Sequence, residues 1–224
     1  MIVSILSPKG GCGKSTSALT LATVFANNPD LSVAIVDADP RQSIARVWYG
    51  KRKEEGLQDP KFTVISDSSD DTILDTLEAA GAAHDLIFVD LEGVAGLMAS
   101  YAASASDLCV IPMRPSALDG DAAGSALKMI RDAGRAARRD VPARILITQT
   151  DAAIITKSHK ELLAELDGAG VGRLQTELMR RAPFERVMAE GKTLFELTTN
   201  KSVASAISNT ARLGQELADI LEDQ

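Results

Sequence analysis

Short apolar runs alternate with helical patterns from one end of the chain to the other. The runs are almost continuous in aliphatic residues, which is typical of strands buried on both faces of a parallel sheet. Strands are predicted at about 2–6, 32–37, 62–65, 86–90, 108–111 and 145–148, with an edge strand near 173–178. Helices are predicted at about 15–27, 43–55, 72–83, 119–138, 157–167 and 201–222, with short helical turns near 184–190. The alternation predicts an α/β fold in one domain, residues 1–224, with a mostly parallel twisted sheet and helices on both faces.

The stretch between the first strand and the first helix, residues 8–16, reads PKGGCGKST. A glycine-rich loop in this context can surround a phosphate, because successive backbone N–H groups and the helix N-terminus bind anions. Glycine allows the close backbone approach that a Cβ would block. Lys14 would reach the β- and γ-phosphates, and the Ser15 hydroxyl would bind Mg²⁺. The sequence therefore predicts a nucleotide-binding P-loop, although Pro8 stands where the usual pattern has its first glycine.

Charge and cysteine content narrow the possible partners. The chain has 24 Lys and Arg against 31 Asp and Glu, a net charge of −7. Any contact with DNA must therefore come from a local basic patch. Cys12 and Cys109 form no CxxC pair, which argues against a zinc or iron–sulfur site and favours a reducing, cytoplasmic setting. No apolar run approaches the roughly 18 residues of a membrane-spanning helix, and the N-terminus has no secretion signal.

Carboxylates follow two of the predicted strands. Asp90 ends one strand, and Asp37 and Asp39 come at the end of another. Parallel strands bring their carboxyl ends to one edge of the sheet, where ligands bind. Residues two apart on a strand point the same way, so Asp37 and Asp39 are both expected to face the γ-phosphate. The residues expected to converge there are the P-loop, Asp37, Asp39, Asp90, Pro112 and Gln149.

The loop also contains a second lysine, Lys9, in the sequence KGGCGKST. This loop resembles the deviant Walker A box, KGGxGK[ST][ST], of the ParA/MinD family of ATPases. The resemblance extends along nearly the whole chain to Gly191–Leu194. It implies slow, partner-stimulated hydrolysis of ATP with Mg²⁺. The nucleotide-binding residues that it implies are Lys9, Gly10, Gly11, Cys12, Gly13, Lys14, Ser15 and Thr16, with Gln149 and Met179 near the base.

The same resemblance assigns roles in catalysis and metal binding. Lys9, Lys14 and Asp39 are the implied catalytic residues, and Asp39 would position the attacking water. Ser15, Asp37 and Asp90 are the implied metal-binding set. Two boxes depart from the family: Arg41 and then Gln42 stand in switch I where Gln is usual, and Leu91-Glu92-Gly93 follows Asp90 in switch II.

Lys9 resembles the signature lysine of the family, which reaches the phosphates bound by a second subunit. The resemblance therefore implies an ATP-dependent homodimer, in which Gly10 lies where the two subunits approach most closely. A cation supplied on assembly would stabilise transferred charge, as an arginine finger does.

The family has branches that bind membranes, metal clusters or DNA. The acidic C-terminal residues 217–224 argue against a membrane, and cluster-binding cysteines are missing. The ParA-type branch implies nonspecific double-stranded DNA as a partner of the ATP dimer, without a helix-turn-helix extension. Family resemblance favours a DNA-binding set of Arg173, Arg180, Arg181 and Lys201. A second basic set comprises Lys128, Arg131, Arg135, Arg138, Arg139 and Arg144, with 128, 131, 135 and 138 spaced along one helix face.

These features favour a ParA-like partition ATPase, cytoplasmic and associated with the nucleoid, that positions plasmid or chromosome cargo through a ParB-like partner. A close alternative is a VirC-type ATPase of DNA transfer, or one that distributes protein clusters. A more remote alternative is a biosynthetic enzyme that uses ATP to activate a carboxylate. Such enzymes usually lack the signature lysine, so Lys9 argues against this last class.

Overall fold

The structure, a computed structural model, describes residues 1–39, 44–67, 69–93, 96–151 and 155–223. Within these residues the strands form one seven-stranded sheet in the order β3-β2-β4-β1-β5-β6-β7, and every pairing is parallel. The strands are β1 Ile2–Ile5, β2 Val33–Ala38, β3 Thr63–Ser66, β4 Leu86–Leu91, β5 Leu108–Met113, β6 Ala143–Thr150 and β7 Leu178–Met179. The predicted α/β class is confirmed.

Helices cover both faces of the sheet. They are α1 Lys14–Phe25, α2 Tyr49–Glu54, α3 Ile73–Ala83, α4 Leu97–Ala105, α5 Ala117–Ala137, α6 Lys157–Gly168, α7 Ala182–Glu190 and α8 Lys201–Glu222. Helices α1, α7 and α8 pack with one face of the sheet in one apolar core, and α3, α4 and α5 pack with the other face in a second core. The central strands are buried on both sides, which explains their nearly continuous apolar sequences.

Four elements of the structure differ from the prediction. Helix α4 was not predicted, and the turns near 184–190 belong to the full helix α7. The predicted helix 43–55 is a π-helix at Ile44–Trp48 followed by α2, and residue 43 lies outside the described residues. The predicted edge strand is only β7 and an isolated bridge from Arg173 to Ile145. In the described part of the chain, no helix combines the length and apolar character needed to cross a membrane.

Candidate functional site

The P-loop connects the central strand β1 to helix α1. Gly13 has φ 98° and immediately precedes the helix, a backbone conformation that favours glycine. The Thr148 hydroxyl donates to the Cys12 carbonyl (2.7 Å) and ties the loop to β6. Lys14 is buried, and its amine donates to the Lys9 carbonyl (3.2 Å). The hydrogen bond from Thr148 therefore fixes the loop to strand β6, and the loop residues line an open cavity.

That space is a cavity of about 580 Å³ at the carboxyl edge of the sheet. Its lining residues are Gly10, Gly11, Gly13, Lys14, Ser15, Thr16, Asp39, Val47, Glu92, Gly93, Gln149 and Met188. A second cavity of about 350 Å³ shares Gly13, Thr16, Gln149 and Met188 with the first. The lining of the second cavity includes the apolar residues Leu178, Met179 and Phe184. The polar cavity beside the P-loop therefore adjoins a more apolar recess.

The three predicted acidic residues lie on neighbouring strands but face different surroundings. Asp37 and Asp90 are directly opposite each other in the register of β2 and β4. Asp39 lines the larger cavity. The Asp37 carboxylate instead accepts the N–H groups of Asp39 (3.1 Å) and Ala45 (2.6 Å). Asp37 therefore holds the backbone that carries Asp39, whereas Asp39 itself lines the cavity.

Asp90 is fully buried, and neither of its carboxylate oxygens has a hydrogen-bond partner among the described residues. Burial raises the pKa of Asp90 to about 8; the nearby Ser15 hydroxyl opposes this rise, whereas Asp37 adds to it. An unpaired buried carboxylate beside a hydroxyl fits a hard cation such as Mg²⁺, which prefers oxygen ligands. In the described chain, no three acidic, His or Cys side chains come together as a metal site. Protein side chains could therefore supply only part of the coordination of such an ion.

Lys9 is not among the residues that line the larger cavity. Its amine forms an ion pair with Asp119 in the first turn of α5. Asp119 also binds the Arg114 guanidinium through Nε (3.0 Å) and Nη2 (3.2 Å). The sequence reasoning missed both partners. The spacing of Ser116 and Asp119 is a helix-start signal, but it gave no indication of a contact with the P-loop.

The two residues predicted near the base lie at the junction of the cavities. Gln149 has φ 57°, and its Nε2 donates to the Gly11 carbonyl (2.7 Å). Met179 lines the second cavity, and its backbone N–H donates to Asn209 Oδ1 (3.0 Å). Phe184 and Met188 on α7 complete the recess and were not predicted.

The four residues of the favoured DNA-binding set lie in different surroundings. Arg173 pairs with Asp167 (2.8 Å) beside the start of β6, whereas the Arg180 N–H donates to the Thr150 carbonyl (2.9 Å) at the end of that strand. These positions are roughly 16 Å apart along the strand. Arg173 and Arg181 are half-buried, whereas Arg180 and Lys201 are exposed.

The second basic set is also divided. Lys128, Arg131 and Arg135 are exposed on α5. Arg138 lies beyond the last turn of that helix, with φ 56°, so the predicted row of four cations on one face is wrong at its end. Arg139 turns back and donates to the Ser106 carbonyl (2.9 Å). Arg144 is half-buried and donates to the Ala143 carbonyl (3.0 Å). Arg41 and Gln42 of switch I lie outside the described residues.

A parallel sheet with a glycine-rich loop after its central strand, and an acid near the end of the adjacent strand, is the arrangement of a P-loop fold. The similarity to known sequences assigns the chain to the ParA-like proteins of this fold. Residues 1–223 match the family described as VirC1 protein, and the chain belongs to that family.

Two relatives and one solved structure illustrate the similarity. The chain is 31% identical to Protein ParA of Rhizobium radiobacter over 209 residues. This alignment covers 93% of the chain and 91% of the relative. It is 27% identical to the maintenance of carboxysome distribution protein A of Halothiobacillus neapolitanus, with 92% of each chain covered. A structure described as a plasmid partition protein from Borrelia burgdorferi, bound to AMPPNP, superposes with a TM-score of 0.69 at 21% identity, covering 96% of this chain and 98% of the other.

Proposed function

We propose that this protein is an ATPase that dimerises on ATP, binds DNA without sequence preference and positions a cargo through a partner protein. The triphosphate would occupy the larger cavity, with Lys14 and the loop N–H groups on its phosphates. The base would enter the recess beside Met179 and Gln149. The AMPPNP bound to the plasmid partition protein of the same fold supports this assignment.

Mg²⁺ would bind together with the nucleotide. Ser15 and Asp90 would hold it, and Asp37 would support the loop that carries Asp39. Because the described chain gathers no complete metal site of its own, phosphate oxygens and water would complete the coordination. The ion would neutralise charge on the phosphates during hydrolysis. Asp39, at the cavity wall, would orient the attacking water.

The position of Lys9 is the observation that supports dimerisation most strongly. Lys14 already occupies the place of the cis lysine, while the amine of Lys9 lies outside its own cavity. A Cβ built on the exposed Gly10 meets no atom of this chain within 4 Å, so a side chain at this position would interfere only with a second molecule. Exposed apolar residues follow the carboxyl ends of β4, β5 and β6: Leu97, Leu118 and Ile155, with 60%, 73% and 60% exposure. Such a surface beside the loop suits a second copy of the chain.

The experiment measures mass in solution by light scattering with ATP and Mg²⁺. The wild type is expected to form dimers, whereas Lys9→Ala and Gly10→Val are expected to remain monomeric with unchanged circular dichroism. Gly81→Val, another glycine with open space around its Cβ position, is the matched control and should dimerise normally. A wild type that stays monomeric with bound ATP would refute the proposal.

DNA binding is tested separately, by gel shift with unrelated duplexes. Phosphate contacts without base contacts predict equal affinity for all sequences and a steep loss of affinity with salt. The Arg180→Ala/Lys201→Ala variant tests one exposed set, and Arg131→Ala/Arg135→Ala tests the other. The absence of a shift at low salt with the ATP dimer would exclude DNA as a partner.

The cargo has two candidates. A ParB-like centromere-binding protein would connect the ATPase to plasmid or chromosome DNA. The match to the VirC1 family, and the likeness to a carboxysome distribution protein, favour as a second candidate an adaptor that links the ATPase to a transfer complex or a protein cluster. Co-purification with the products of neighbouring genes, followed by measurement of stimulated ATP hydrolysis, distinguishes these candidates.

A further inference from the structure

Asp119 binds two cations within one chain. Its side chain is only 1% exposed and contacts both Lys9 and Arg114. It also accepts the Arg114 N–H (3.0 Å) and the Ser116 hydroxyl (3.0 Å). Burial alone would raise the pKa of Asp119, but hydrogen bonds from Arg114 and Lys9 hold it well below the ordinary value. The carboxylate is therefore charged and multiply bonded.

The bonds are divided so that Lys9 is the partner that can leave. Without Lys9, one oxygen of Asp119 still receives the Arg114 backbone N–H and Nε, and the other still receives Arg114 Nη2 and the Ser116 hydroxyl. The charge of Asp119 also remains paired with a guanidinium. A buried carboxylate left without a counter-ion would be costly. Arg114 removes most of that cost when Lys9 departs.

Lys9 is held at a second point by the P-loop itself. Its carbonyl accepts the Lys14 amine (3.2 Å) and the Cys12 thiol (3.2 Å). Lys14 is the residue proposed to bind the phosphates in its own cavity. When its amine turns toward a triphosphate, the carbonyl of Lys9 loses that bond. Nucleotide binding would therefore remove one contact of the Lys9 backbone before a second copy arrives.

We propose that Asp119 is a latch that keeps Lys9 inside a single chain, and that Arg114 keeps Asp119 paired once Lys9 moves to the phosphates bound by a second copy. This inference rests on the proposed ATP-dependent dimer. Asp119 and Arg114 are positioning residues in this scheme, since they act through Lys9. The latch sets the protein concentration at which ATP produces dimers.

The latch predicts opposite effects for two residues in direct contact. Asp119→Asn removes the charge that holds Lys9, so the dimer dissociation constant with ATP should fall by roughly tenfold, as expected for loss of one charge-assisted bond. Arg114→Gln leaves Lys9 as the sole cation for Asp119, so the same constant should rise by roughly tenfold. The double variant should behave like Asp119→Asn, because Arg114 matters only while the carboxylate is present.

Two controls separate the latch from a structural role. Ser116→Ala removes an uncharged donor and the helix cap, and should change the dimer constant by less than about twofold. ATP affinity measured at protein concentrations too low for dimers should also stay within about twofold in every variant. Sedimentation velocity with ATP and Mg²⁺ gives the dimer constants.

The outcomes are distinct from those that test the proposed function. A wild type that never dimerises refutes the proposed function. If the wild type dimerises, equal or same-direction effects of Asp119→Asn and Arg114→Gln overturn the latch. A double variant as weak as Arg114→Gln also overturns it, because Arg114 would then contact the second copy directly. If Asp119→Asn fails to fold, Arg114→Gln is compared with Arg114→Lys, which keeps a cation beside Asp119. Dimerisation weakened by Gln and restored by Lys supports the latch, and an unchanged constant for Gln overturns it.

Discussion

Replacing Gly191 with alanine is expected to destabilise the protein through a close contact between two segments far apart in sequence. Gly191 follows α7 and has φ +63°. A Cβ at this position would lie 2.5 Å from the backbone N of Arg52 and 2.8 Å from its Cα. Arg52 cannot withdraw easily, because its guanidinium donates to the Gly191 carbonyl (3.1 Å) and to Glu196 (2.9 and 2.7 Å).

The magnitude follows from comparison with a second glycine. Gly170 has nearly the same backbone conformation, φ +66°, but a Cβ there meets nothing within 4 Å. A left-handed conformation costs an alanine about 1–2 kcal/mol, and this cost applies at both positions. Forcing backbone apart at Gly191 adds about 1–3 kcal/mol, as overpacking does elsewhere. We therefore expect a loss of about 1 kcal/mol for Gly170→Ala and about 3 kcal/mol for Gly191→Ala.

Urea denaturation followed by circular dichroism measures both free energies of unfolding. ATP affinity gives a second readout, because Phe184 and Met188 on α7 line the proposed nucleotide site. Gly191→Ala should weaken ATP binding, while Gly170→Ala should leave it unchanged. Equal destabilisation by the two variants would show that the approach of Gly191 to Arg52 contributes nothing beyond the backbone conformation.

Three further predictions concern charged and polar contacts. Glu196→Gln should lower the free energy of unfolding at pH 7 by about 2 kcal/mol, because Arg52 loses its charged partner. The Arg52 hydrogen bonds lower the pKa of Glu196 from 4.5 to about 2. The stability that this ion pair contributes should therefore be complete above pH 4.5 and be lost as the pH falls toward 2, which urea titrations at several pH values measure. Asp90→Asn should melt close to the wild type without nucleotide but lose the Mg²⁺-dependent part of the ATP-induced shift; retention of that shift would exclude Asp90 as a ligand. Gln149→Ala removes the bond to Gly11 and should weaken ATP binding about fivefold by calorimetry.

The local sequence pattern was sufficient to predict the strands of the sheet and the P-loop. Strands such as β1, β4 and β5 are short, apolar and buried, so their composition reports their environment directly. Helix α4 was missed because its sequence, LMASYAASA, is rich in small residues and has no strong apolar stripe. It packs through Ala99, Ala102 and Ala103, which carry little periodic signal.

Contacts between residues far apart in the chain could not be predicted from sequence patterns. Lys9 and Asp119 are 110 residues apart, and Arg52 and Glu196 are 144 apart. Each of these residues, taken alone, resembles an ordinary surface charge, and only the fold buries Asp119 and Arg52 against partners from distant segments. The position of Asp39 at the site was predictable from its place after a strand. The hydrogen bond from the Ala45 N–H to Asp37 was not predictable, because it joins residues eight apart that lie in two different elements.

Strand β7 lies at one edge of the sheet, and Asn209 of α8 occupies its outward backbone N–H at Met179. Glu216, further along the same helix, accepts the N–H groups of Gln175 and Thr176 just before the strand. An edge whose donors are taken by side chains is a poor template for a foreign strand. Helix α8 therefore protects this edge of the sheet against the addition of a strand from another molecule, the first step of sheet-to-sheet aggregation.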